Sequence, residues 1–205
     1  GGVALFGQPP EKKIAAPSAE LTAWSKALQG VLNAIGEVNT TVSLSGTWGR
    51  VVREELLGSD DWSHQYGNAG NTASSNDTAV RGPIGVLWYG EPGPGRMPSR
   101  HASNAAPLAV GGRLFVQGEN VVMTHDAYNG LKLWEREIPG ALRTGLKNRC
   151  SNLAASEDAL FVVARGECQR LDAATGQTMH TYKYPTDDAG NTGAWGAYVA
   201  CVDGL

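Results

Sequence analysis

Apolar and polar positions follow two different rhythms along this chain. In the first sixty residues one stretch has helical spacing. Leu21, Trp24, Leu28, Val31 and Ile35 fall on a single face, Ser18 is placed to cap the start with Glu20 in the first turn, and Gly36 ends it. An apolar strand from Gly1 to Gly7 precedes this helix, and Thr41–Leu44 with Trp48–Arg53 read as a closing hairpin around Ser45-Gly46. Beyond residue 82 the apolar runs are short, alternate with period two and are bounded by Gly, Asn and Asp, which predicts antiparallel strands.

The second rhythm repeats. Asp126-Ala127-Tyr128-Asn129-Gly130-Leu131-Lys132-Leu133-Trp134 matches Asp172-Ala173-Ala174-Thr175-Gly176-Gln177-Thr178-Met179-His180, 46 residues further on. Leu114-Phe115-Val116 returns at the same offset as Leu160-Phe161-Val162, Pro139 as Pro185, and Leu87-Trp88 precedes Leu133-Trp134 by 46. The first copy predicts four strands, at Pro107–Val110, Leu114–Gln117, Val121–His125 and Leu131–Ile138. Gly111-Gly112 suits a two-residue hairpin with positive φ at both positions. Asp126 to Gly130 offers an Asx-type start and a left-handed glycine.

Four strands per unit at this period is the dimension of a propeller blade; helical repeats would show 3.6-residue spacing instead. The expected fold is therefore mainly β: a partial β-propeller of about two and a half four-stranded blades behind an N-terminal α/β remnant. Trp88, Trp134 and His180 share one column on the outermost strand, where a large ring packs between blades. Residues 1–57 read as the remnant and 58–82 as an ordered linker whose Trp62 and Tyr66 cover apolar surface. Residues 83–205 read as the first blades. A ring of seven or eight such blades needs roughly 320 to 370 residues, so one expected partner is the rest of the same propeller.

Composition removes several functions. A net charge of -3 and a pI near 5.8 give no basic field for nucleic acid, and no apolar run is long enough to span a membrane. Cys150, Cys168 and Cys201 lack the close spacing of a zinc site and read as buried small hydrophobes, with a Cys150–Cys168 bridge as the alternative. The loops joining blades carry the remaining chemistry. Arg96, Arg100 and His101 stand in the first, and Arg143, Lys147, Asn148 and Arg149 in the second. Together these are candidates for an anion pocket that holds a carboxylate or phosphate, or for contact with another protein. The third loop carries Asp187, Asp188 and Asn191, residue types of a calcium site without its spacing. His64, His101, His125 and His180 form no ligand set, and no catalytic residue is assigned.

DAYNGLKLW and DAATGQTMH, each following an LFV strand, resemble the D-A-x-x-G-x-x-x-W repeat of pyrroloquinoline-quinone-type propellers, over Gly82 to Leu205. That repeat builds both quinoprotein alcohol dehydrogenases and BamB-like outer-membrane assembly lipoproteins, so the resemblance implies a fold more than an activity. The vicinal cysteine pair of the dehydrogenases has no counterpart, because Cys150 and Cys168 stand far apart. A non-catalytic binding or scaffold propeller is the leading expectation, with a quinone-dependent alcohol dehydrogenase-like enzyme as an alternative.

The opening GGVALFG resembles the end of the L-x-P-G-G-x-L motif of class I S-adenosylmethionine-dependent methyltransferases. It implies the C-terminal part of such a domain, with the cofactor loop upstream of Gly1. A methyltransferase whose propeller presents the substrate is thus a further alternative. No cofactor is expected on these residues; S-adenosylmethionine or pyrroloquinoline quinone would belong to a longer protein. Localisation follows the same fork, cytoplasmic for a working methyltransferase and periplasmic or secreted otherwise.

Overall fold

The computed structural model describes residues 2–7, 18–36, 39–90, 96–97, 105–142, 151–183, 188 and 198–202. They fall into two compact units, residues 1–59 with 78–80, and residues 60–77 with 81–205.

The first unit holds β1 (Gly2–Gly7), α1 (Ala19–Ala34), β2 (Thr40–Ser45) and β3 (Trp48–Arg53), the strand, helix and hairpin expected from the pattern. The sheet order is β1-β3-β2, antiparallel throughout. Ser18 caps α1 by accepting the Leu21 N–H at 3.1 Å, and Gly36, at φ +80°, follows its last turn. The hairpin turns at Gly46-Thr47, one residue later than expected, because Ser45 still pairs with Trp48.

The helix face is shorter than its spacing suggests. Trp24 packs on Phe6, ring centroids 5.2 Å apart, and lies against Gly49, whereas Val31 and Ile35 are 56% and 67% exposed. The reason is Gln29. Its amide accepts the Val42 N–H at 3.0 Å and donates to the Thr40 carbonyl at 3.4 Å, so a polar side chain takes the place beside β2 that an apolar face would need.

The second unit contains two complete blades. β4 (Leu108–Val110), β5 (Arg113–Gln117), β6 (Val121–Asp126) and β7 (Lys132–Glu137) form one four-stranded antiparallel sheet in sequential order. β8 (Leu153–Ala155), β9 (Ala159–Ala164), β10 (Glu167–Asp172) and β11 (Thr178–Lys183) form the next. Gly111 and Gly112 turn the first hairpin at φ +55° and +74°, the primed geometry that matches strand twist. Between the sheets, Phe115 and Val122 of the first share a buried core with Leu153, Leu160 and Val162 of the second. On the far side of the second sheet, Phe161, Val163 and Cys168 pack with Val199 and Cys201 of the segment that follows.

The 46-residue motif acts as a lock between neighbours. Asp126 Oδ1 accepts the N–H groups of Tyr128 and Asn129 at 2.9 and 3.1 Å, and Asp172 Oδ1 those of Ala174 and Thr175 at 3.1 and 2.7 Å. Each turn closes on a left-handed glycine, Gly130 at φ +75° and Gly176 at φ +72°. A tryptophan from the preceding outer segment lies on that glycine. Trp134 donates its indole N–H to the Ala173 carbonyl at 3.0 Å, and Trp88 donates to Ala127 at 2.9 Å. A Cβ on Gly176 would meet the Trp134 ring at 2.6 Å, and one on Gly130 the Trp88 ring at 2.4 Å. Glycine is therefore required twice, for its φ and for the ring above it. Trp88 docks in this way although Leu87-Trp88 belongs to no assigned strand. His180, third in the column, meets Tyr182 of its own strand edge-on instead, with centroids 4.4 Å apart.

Candidate functional site

In a blade the innermost strand pairs on one side only, so its other edge presents unpaired N–H and C=O groups toward the ring axis. A short piece of the stretch expected as a linker, Asp61 to His64, lies along that edge. Trp62 forms a reciprocal bridge with Ala109 in β4: the Trp62 N–H reaches the Ala109 carbonyl at 2.7 Å, and the Ala109 N–H reaches the Trp62 carbonyl at 2.9 Å. The next residue, Ser63, accepts the Ala155 N–H of β8 at 3.0 Å. The one after, His64, accepts the Cys201 N–H through its ring Nε2 at 3.1 Å.

Ala109, Ala155 and Cys201 are spaced by 46 residues. Three consecutive strap residues thus take the same backbone donor from three successive repeat units. The Tyr198 hydroxyl adds a second tie to the third unit, donating to the Ala69 carbonyl at 2.9 Å. Asp61 anchors the other end by accepting the Gly111 N–H at 3.2 Å.

Local hydrogen bonds shape the strap. His64 and Gly67 bridge each other, with the Gly67 N–H to the His64 carbonyl at 3.1 Å and the return bond at 3.3 Å. The turn uses the His64 backbone, leaving only the ring to reach the third unit. An amide donor at Nε2 places the ring proton on Nδ1, where it faces Ser63 Oγ at 2.8 Å. The ring is 2% exposed, and burial holds its pKa below the ordinary histidine value. Gly67 at φ +92° lies 3.1 Å, by its absent Cβ, from the Ser74 carbonyl, which holds the turn tight. The sequence signal available for this site was the density of aromatic and turn residues in Asp60–Asn71; what hid it was that its partners lie at a spacing visible only once the blades stand side by side.

Of the anion-pocket candidates, Arg96 is described. Its guanidinium pairs with Glu135, which also accepts from Lys132 Nζ at 3.2 Å, and its carbonyl accepts the Glu119 N–H at 3.0 Å. Its charge is thus engaged with β7. Arg100, His101, Arg143, Lys147, Asn148 and Arg149 lie outside the described residues, as do Cys150, Asp187 and Asn191. Asp188 is described and belongs to a turn. Among the described residues no three His, Cys, Asp or Glu side chains come together as a metal site, and no helix is long and apolar enough to cross a membrane. Trp88, Asp126, Gly130, Trp134, Asp172 and Gly176 meet as the blade lock described above.

No family model matches the chain, and no curated protein matches it. Solved structures do. BamB from Moraxella catarrhalis aligns with 38% of this chain and 21% of its own at 18% identity, TM-score 0.28. The quinohemoprotein alcohol dehydrogenase from Comamonas testosteroni aligns with 62% of this chain and 20% of its own at 18% identity, TM-score 0.40. A europium-containing methanol dehydrogenase aligns with 42% and 16% at 16% identity, TM-score 0.31. The chain thus spans about a fifth or less of the structures it matches. None of these three is a methyltransferase. The fold class, a partial β-propeller of four-stranded antiparallel blades behind an α/β unit, stands on the sheets themselves.

Proposed function

We propose that this chain is part of a non-catalytic binding or scaffold propeller of the quinoprotein-repeat type. The observation that supports this reading is the strap. In three successive units the equivalent inner-edge N–H is already bonded to Trp62, Ser63 or His64, so these donors are spent on the protein's own chain rather than offered to a ligand. In this reading no quinone is bound, and no chemistry is derived through one. The propeller's partners in this reading are the remaining blades of its own ring and a protein or small anion at the loop face.

The test is to titrate the protein with pyrroloquinoline quinone and calcium while following quinone absorption. The expected result is no saturable change; saturable binding with one quinone per chain would overturn the reading. The first unit is proposed as the end of a methyltransferase-like domain, on its order of strand, helix and antiparallel hairpin. Calorimetric titration of a longer protein with S-adenosylmethionine tests this, and absence of heat at high concentration would remove it.

A further inference from the structure

The three ties between strap and blades differ in chemistry. Trp62 and Ser63 hold Ala109 and Ala155 through backbone carbonyls, which do not titrate. Cys201 is held by an imidazole nitrogen, which does. We propose that His64 is a proton-operated latch: neutral, its Nε2 holds the Cys201 amide, and a proton on Nε2 releases the third unit while the first two stay tied.

Geometry dictates the direction. With Nδ1 carrying a hydrogen toward Ser63 Oγ, Nε2 is the only lone pair of the ring, and it is spent on an amide donor. A second ring proton would put N–H against N–H at 3.1 Å. The groups packed around the ring are Ser63 and Gly67 from the strap and Tyr198 and Cys201 from the third unit. Among the described residues no carboxylate stands there to welcome an imidazolium. The two nearby strap carboxylates are engaged elsewhere, Asp60 with Ser75 and Asn76, and Asp61 with the Gly111 amide. Burial lowers the folded pKa below 6.5, so the tie is fully present above that value and is lost as pH falls through the lowered one. The Tyr198 tie to Ala69 does not involve the imidazole, so release at Cys201 loosens the third unit without freeing it. The latch stands whether or not the propeller binds a ligand.

Amide hydrogen exchange read by mass spectrometry on the whole chain tests this, corrected for intrinsic exchange at about pH 7.5 and at a pH below the His64 midpoint, which the imidazole proton resonance supplies. The expected result is a loss of protection of about tenfold at 198–202 on acidification, the scale of one hydrogen bond, with 105–110 and 153–155 unchanged. In His64→Gln, whose Oε1 stands near the place of Nε2 and does not titrate, protection at 198–202 is expected to be independent of pH. Equal protection at both pH values in the wild type, parallel loss at all three segments, or persistence of the pH effect in His64→Gln would each overturn the proposal. Should that variant fail to fold, the imidazole proton resonance of wild-type His64 decides: a midpoint below 6.5 agrees with the latch, and one at or above 6.5 refutes it.

Discussion

The interlock between Trp134 and Gly176 can be separated from ordinary glycine effects, because the chain contains a control. Gly166, in the β9–β10 turn, has φ +78° and open space around its missing Cβ, whereas Gly176 has φ +72° and the Trp134 ring 2.6 Å away. Alanine at either site adopts a left-handed conformation at a cost of about 1 to 2 kcal/mol. At Gly176 it must also displace an indole held by its bond to Ala173 and by packing against Phe115, an overpacking cost of about 1 to 3 kcal/mol more. Gly166→Ala is therefore expected to lose about 1 to 2 kcal/mol and Gly176→Ala about 2 to 5 kcal/mol. Urea unfolding followed by tryptophan fluorescence measures both, the comparison holding where the slope with denaturant is unchanged. Combining Gly176→Ala with Trp134→Leu should bring the alanine penalty back toward that of Gly166→Ala, a coupling read as a double-mutant cycle. If the two alanine variants lose the same stability within about 0.5 kcal/mol, the steric interlock does not exist and the glycine is there for φ alone.

Two further expectations follow from titrating groups. The Thr175 hydroxyl first, then the Thr175 and Ala174 N–H groups, hold the Asp172 carboxyl below its ordinary 3.8, so its contribution is present above that value and is lost as pH falls through the lowered one. Stability should decline with acid more steeply in the wild type than in Asp172→Asn; superimposable pH profiles would argue against the turn's dependence on charge. Burial pushes the Cys168 thiol up to about 11. With Cys150 and Cys201 replaced by serine, Cys168 should resist a thiol reagent at about pH 8 until denaturant is added, and rapid reaction in the folded protein would contradict its burial.

Much of this molecule was legible in one dimension because its repeat is local. Hairpin turns are chosen by residues two to five apart, so Gly111-Gly112 and Asp126 to Gly130 announced their conformations, and strand bounds came out within a residue or two. The tryptophan column was also readable, since a ring recurring at a fixed offset has one interface to serve. Helix burial was not: Val31 and Ile35 carry the right spacing, but whether a face is covered depends on what lies beside it, and there Gln29 meets β2. The strap was the least legible feature. Nothing in Trp62-Ser63-His64 names Ala109, Ala155 and Cys201 as partners, because backbone donors have no sequence signature. They become one site only when β-sheet packing brings positions 46 residues apart to a common edge. Sequence by itself determined the blade and its phase; the tertiary structure decided what the inner edges hold, since an unpaired N–H is satisfied by whichever acceptor packing delivers to it.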